Sequence, residues 1–236
     1  MRKLPVITAL VLVLACPTFG VAQDREPRLF LVFVDDLHLD FRSTPRLREL
    51  MKRMMPLLSQ EGDQIALVTT GASSVNVAPT EDFQQITSGM SRITGNGLRA
   101  DQILDPEHAP ERIHRAIIAI DTARQAIRIV ASRAKRPSTV LYFSGGYAEL
   151  PVPAKLAELV SEAHRLSSAI YTFEARSLAG GPKPTPSVWN QAAWDAYHHD
   201  ARESLRGLAE STGGRMVSTT GEFDSTLAQI ARTAND

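Results

Sequence analysis

The sequence predicts an α/β chain: a three-layer sandwich in which a doubly wound, mostly parallel sheet of about six strands lies between layers of helix. Three observations carry that expectation. Short apolar runs closed by polar or turn residues recur along the chain, as strands buried on both faces require. Between them lie segments whose apolar residues fall at helical spacing. The two kinds of segment alternate, which is the pattern of parallel strands joined by crossover helices.

Taken in order, Leu29 to Val34 is an unbroken apolar run ended by Asp35-Asp36 and reads as the first strand. Ser43 or Thr44 can cap a helix with Pro45 in its first turn, and Leu47, Leu50, Met51, Met54, Leu57 and Leu58 form its apolar face. The methionines there are ordinary packing residues. Glu61-Gly62-Asp63 breaks the chain before a second strand, Gln64 to Thr69, and residues 74–78 read as a short edge strand. Glu81 to Ile93 is a helix, residues 94–110 are loop and irregular chain, and a long helix follows to Ala134 with the stripe Ile113, Ile117, Ile120, Ala123, Ile127 and Val130. Thr139 to Phe143 is a strand closed by Ser144-Gly145-Gly146. Pro153 opens a helix, and Ala169 to Phe173 is the next strand. Residues 178–200 form a Gly/Pro-rich insertion loop that holds both tryptophans, Trp189 and Trp194. A helix from Ala201 to Thr212 stops at Gly213-Gly214, residues 215–218 are a last short strand, and Phe223, Leu227 and Ile230 mark a closing helix.

Residues 1–22 stand apart from this fold. Arg2 and Lys3 precede an apolar run to Ala15 and small residues at Gly20 and Ala22, the order of a secretory signal cleaved after Ala22. The run is too short to span a bilayer, which needs about 20 apolar residues. An uncleaved anchor and a faint lipoprotein-like box ending at Cys16 are the alternatives. The expected location is periplasmic or secreted, with residues 23–236 as one domain. The whole chain has 26 basic and 26 acidic residues, and cleavage removes two of the basic ones, so nothing points to nucleic acid or an anionic membrane. Cys16 is the only cysteine, so the mature chain has no disulfide or thiol chemistry. No other segment is long enough to cross a membrane.

The order of elements and several local motifs resemble a von Willebrand factor type A domain over nearly the whole mature chain, and most of all the exported bacterial proteins related to that family. The residues that carry the likeness are Phe33-Val34-Asp35-Asp36-Leu37-His38-Leu39-Asp40, the strand and turn from Ile65 to Gly71, Tyr142-Phe143-Ser144-Gly145-Gly146, and Leu208 to Arg215 before the closing helix. The resemblance implies a strand order 3-2-1-4-5-6 and a metal ion at the C-terminal edge of the sheet, held by an Asp-x-Ser-x-Ser, a Thr and an Asp. This chain departs from that pattern. With Asp36 matching the first Asp, the serines become His38 and Asp40. Thr94-Gly95-Asn96-Gly97-Leu98 lacks the Thr after the glycines, and Gly145 replaces the third-loop Asp. A degenerate site is expected, with Asp36, His38 and Asp40 as the tentative metal residues for Mg, Mn or Zn, and Asp35 and Ser144 nearby.

Read from the residues alone, Asp36-x-His38-x-Asp40 puts alternate side chains on one side if the strand continues, where they could bind Zn²⁺ or Mn²⁺. The plainer reading is a strand-end loop in which the Asp residues cap backbone amides. Asp35 and Asp36 could also pair for acid–base work. No Gly-x-Ser-x-Gly elbow, zinc-protease motif or phosphate loop accompanies them, and an adjacent pair such as His198-His199 cannot easily share one ion. The expected function is therefore a non-catalytic protein-interaction or adhesion-type module with no certain cofactor. It would bind a protein or cell-surface ligand through Asp35, Asp36, Thr70 and Ser144, with Trp189, Trp194 and Tyr197 either presented to the partner or folded back over the sheet edge. A metal-dependent hydrolase using Asp36, His38 and Asp40, and a periplasmic binder of small ligands with a deep apolar pocket, are the alternatives.

Overall fold

The computed structural model describes residues 26–71, 73–149, 152–181 and 190–233. The expected signal peptide, with Cys16, lies outside the described residues, and so does Trp189.

Six strands are present among the described residues: β1 (Leu29–Val34), β2 (Gln64–Thr69), β3 (Asn76–Thr80), β4 (Thr139–Ser144), β5 (Ala169–Glu174) and β6 (Met216–Val217). They form one sheet in the order β3-β2-β1-β4-β5-β6, the order the resemblance implies. All neighbours pair in parallel except the edge strand β3, which runs antiparallel to β2. The helices are α1 (Thr44–Leu58), α2 (Phe83–Arg92), α3 (Ala100–Leu104), α4 (Ala109–Ala134), α5 (Val152–Arg165), α6 (Ala175–Ala179), α7 (Gln191–Glu210) and α8 (Thr220–Thr233).

The central strand shows why the sheet must be covered on both faces. All six residues of β1 are buried. Alternation sends Phe30, Val32 and Val34 into one core, with side chains of α1, α2 and α8. It sends Leu29, Leu31 and Phe33 into the other, with side chains of α4, α5 and α7. The result is the three-layer α/β sandwich the sequence predicts.

Three local expectations are corrected. Residues 94–110, expected to be loop and irregular chain, contain α3 and a 3₁₀ turn at Pro106–His108. The edge strand starts at Asn76 rather than at residue 74. The stretch expected to be loop up to residue 200 becomes α7 from Gln191, because the Asn190 side chain accepts a hydrogen bond from the Ala193 amide (2.9 Å) and caps it.

From β1 the chain winds outward through β2 to β3, then returns to β4 and winds the other way through β5 to β6. The reversal lies between β1 and β4. At such a switch point the two flanking loops leave in opposite directions and open a crevice at the C-terminal ends of the strands.

Candidate functional site

The crevice is closed at its base by a buried polar cluster. Directly after β1, the Asp35 amide donates to the Phe143 carbonyl on β4 (2.8 Å), so the two strand ends are clamped together. The fully buried Asp35 carboxylate accepts from Ser144 Oγ (2.7 Å) and Tyr147 OH (2.9 Å). Tyr142 and Tyr147 are joined hydroxyl to hydroxyl. His38 Nδ1 lies 3.0 Å from Oδ1 and 2.8 Å from Oδ2 of Asp35, so that nitrogen carries the hydrogen. The His38 ring meets Tyr147 edge-on at 5.0 Å.

Burial is the largest influence on Asp35 and acts to raise its pKa. The charge of His38 and the hydrogen bonds from His38, Ser144 and Tyr147 together outweigh it and hold the carboxyl below its ordinary range. For Tyr147, burial first and the Asp35 charge next push the phenol well above its ordinary value, so it stays a donor.

Asp36 does a different job. Its Oδ1 accepts from the Gly71 amide (2.7 Å) and its Oδ2 from the Ser73 amide (2.8 Å), both in the loop after β2. Its carbonyl accepts from the Asn96 amide (2.7 Å) in the loop after α2. Burial raises the Asp36 carboxyl above its usual range, against the lowering effect of the Ser73 and Gly71 bonds. Thr70, half-buried, binds the Val34 carbonyl through its amide (3.1 Å). The loops after β1, β2 and α2 are thereby tied together as one rim.

The expected Asp36–His38–Asp40 grouping is corrected. The strand ends at Val34, and residues 36–38 form a turn of 3₁₀-helix. Alternation is lost there, and residues three apart come onto one side. His38 therefore faces Asp35, Asp36 faces the loop after β2, and the Asp40 carboxylate accepts from the Arg42 amide (2.8 Å). Among the described residues no group of three His, Cys, Asp or Glu side chains is placed to hold a metal ion. Ser144 gives its hydrogen to the Asp35 carboxylate and is fully buried.

Of the expected aromatic contacts, Trp194 is folded back rather than presented. It is 5% exposed and packs with Ala100 and Ile103 beneath the rim. It does so because α7 begins early enough to place it on a helix face rather than in a loop. Tyr197 is half-buried, one turn further on, beneath the Arg176 guanidinium, which lies 5.0 Å from its ring centroid. His198 packs on Trp194 at 4.4 Å and does not converge with the exposed His199.

Tyr147, Arg176 and Phe41 belong to the site although sequence reasoning passed them over. Gly146 carries the signal for Tyr147. Its φ of +79° turns the chain, and a Cβ there would lie 2.0 Å from the Ala201 carbonyl oxygen, so only glycine brings the loop against α7 and puts Tyr147 under Asp35. Phe41 is an aromatic in the polar stretch Asp40-Phe41-Arg42-Ser43 and is 60% exposed. Arg176 has no local signal, because its surroundings come from residues distant in sequence.

No protein-family model and no curated protein matches the chain. Among solved structures it is similar to the open conformation of SpaC, a pilus adhesin from Lactobacillus rhamnosus GG, at a TM-score of 0.56 and 10% identity, over 90% of this chain and 30% of the adhesin. It is also similar to the human COPII-coat protein Sec24c, at a TM-score of 0.45 and 13% identity, over 89% of this chain and 32% of that protein. The chain thus spans about a third of the length of each. At such identities the likeness to the adhesin shows a shared α/β fold and nothing finer.

Proposed function

We propose that this chain is an exported, non-catalytic protein-interaction module of the von Willebrand factor A-like kind, docking a protein partner on the rim formed by the loops after β1, β2 and β4. The observation that carries the reading is Phe41. A large aromatic left 60% exposed, next to a rim cross-tied by Asp35 and Asp36, is a preorganised anchor of the sort that dominates protein interfaces. In this reading Asp36 serves the Gly71 and Ser73 amides, one on each oxygen, and no divalent ion is invoked. Export rests on the signal-like residues 1–22, and mass spectrometry of the envelope fraction should find a chain beginning at Gln23.

The test is a photo-crosslinking phenylalanine analogue placed at position 41 of the full chain in its source cells. The control is position 129 on α4, where Ile129 is 49% exposed. An adduct of defined mass at 41, absent at 129 and insensitive to chelator, is expected. No adduct at 41, or the same adducts at both positions, refutes the reading.

A second reading has its own observation. Between α5 and α7 lies a groove of about 970 Å³, lined by Val152, Leu156, Val160 and Leu208 and by Glu149 and Glu203. This is within the size range of small-molecule sites. Leu156→Trp would obstruct its apolar wall. The docking reading expects that variant to keep the position-41 adduct, and a small-ligand binder would lose an apolar fluorescent probe instead.

A further inference from the structure

The rim also holds an unbalanced charge. A space of about 20 Å³ is lined by His38, Asp40, Arg112, Arg115, Arg176 and Tyr197. Most of these groups are already matched. Arg112 binds Glu149 (3.0 Å) and the Asp105 carbonyl (2.8 Å). Arg115 binds Glu111 (2.6 Å) and the Asn96 carbonyl (2.6 Å). His38 faces Asp35, and Asp40 accepts from the Arg42 amide.

Arg176 is the exception. Its hydrogen bond is from Nη2 to Tyr197 OH (3.2 Å), and its Nε is buried without an acceptor. Among the described residues no carboxylate comes within ion-pair distance of it, and residues 182–189, outside them, contain no acid. Gly145 makes its position possible. A Cβ there would lie 3.1 Å from both Nε and Nη2 of Arg176 and 2.5 Å from the His38 carbonyl oxygen. The surroundings register the charge: burial first, and the Arg176 charge next, push the His198 imidazole down to about 4.

A guanidinium N–H buried without an acceptor is costly, and each such group calls for an explanation, a bound ligand being one. The space is narrow and opens among the rim side chains. It suits the end of one side chain. A guanidinium presents a planar fork of donors that a carboxylate matches. Phe41 follows Asp40 directly, so an anchor and this charge stand on the same rim.

Resting on the docking reading above, we infer that Arg176 receives the carboxylate of an Asp or Glu side chain of the protein partner in this space.

The test follows the arginine Nε–H resonances of the full chain by NMR while acetate, acetamide or chloride is added. Arg176→Gln assigns the signal. Arg176→Lys, which keeps the charge and loses the fork, guards against misfolding. The expected result is a saturable shift of the Arg176 signal with acetate alone, with the position-41 adduct reduced at least about tenfold in Arg176→Gln and less in Arg176→Lys. No shift with acetate, or the same shift with chloride, overturns the inference, and a position-41 adduct that persists in Arg176→Gln then leaves the docking reading standing. If wild type gives no adduct, the docking reading fails by itself and the acetate titration alone decides whether the carboxylate site exists.

Discussion

The two ends of the sheet each bury a carboxylate, and they complete it in different ways. At the N-terminal end, Asp63 before β2 takes the Arg28 amide (2.9 Å), Nε (3.1 Å) and Nη2 (2.5 Å), and the same guanidinium reaches the Ala231 carbonyl (2.8 Å). Both side chains are buried, at 4% and 0% exposure, and a fixed cation meets a fixed anion in a closed fork. At the C-terminal end Asp35 is equally buried, yet its partners are an imidazole and two hydroxyls. One cation of that rim, Arg176, keeps a donor unmatched among the described residues. One end uses its charges to hold the fold. The other leaves charge unused at the switch point, where open α/β sheets take their ligands.

The largest expected effect tests the closed end. Asp63→Ala strands a buried guanidinium and should lower stability by about 3–5 kcal/mol, read from denaturant unfolding. Asp35→Asn keeps the shape and one acceptor oxygen, so it should cost less, about 1–3 kcal/mol. If the two losses are equal, both ends are structural clasps and the contrast is void.

Acid titration sharpens the comparison at the open end. The folded Asp35 carboxyl is held below its unfolded value, so its contribution is complete above the unfolded pKa, about 3.9, and is lost as pH falls from there through the folded value. Asp36 has the opposite sign. Burial raises its folded pKa, so acidification through that higher value adds stability before the Asp35 loss begins. The stability gap between wild type and Asp35→Asn should therefore hold on first acidification and narrow only as pH falls below the unfolded carboxyl value. A gap that widens on acidification contradicts the assigned direction.

Tyr147→Phe should cost about 1 kcal/mol. It removes one of the hydroxyls on Asp35 and leaves the Tyr142 hydroxyl without its partner. The remaining bonds from Ser144 and His38 keep the carboxylate satisfied. A loss as large as that of Asp63→Ala would mean that the tyrosine, and not the imidazole, holds the rim together.

The open end was also the harder one to read from sequence. The run Leu29 to Val34 announces a strand buried on both faces, and it lies at the centre of the sheet. The importance of Asp35 and Asp36 was legible from two acids at a strand end. Their division of labour was not, because alternation holds only while the strand lasts and the chain turns into a 3₁₀ geometry at Asp36. The start of α7 was hidden by the Pro-rich residues before it, although Asn190 followed by Gln191-Ala192-Ala193 is a fair start for a helix. Arg176 could not be found at all. Its neighbour Gly145 is 31 residues away, across a strand and a helix, and only the folded chain brings them together.

The smallest expected effect separates the two arginines most cleanly. Arg28 and Arg176 are both cations with buried donors, so burial alone predicts that losing either would be costly. The hydrogen bonds predict otherwise. Arg28→Gln would leave the Asp63 carboxylate buried and unpaired, the mirror image of the first prediction. Arg176→Gln removes a charge that no carboxylate balances, together with one bond to a tyrosine hydroxyl and the stacking on that ring. Relief of an unmatched donor offsets the lost contact, and the change in stability should stay within about 0.5 kcal/mol of wild type. A loss of several kcal/mol would make Arg176 a brace of the rim and remove the reason for it to wait there unpaired. Near-neutrality in unfolding combined with loss of the position-41 adduct would fix its role in recognition.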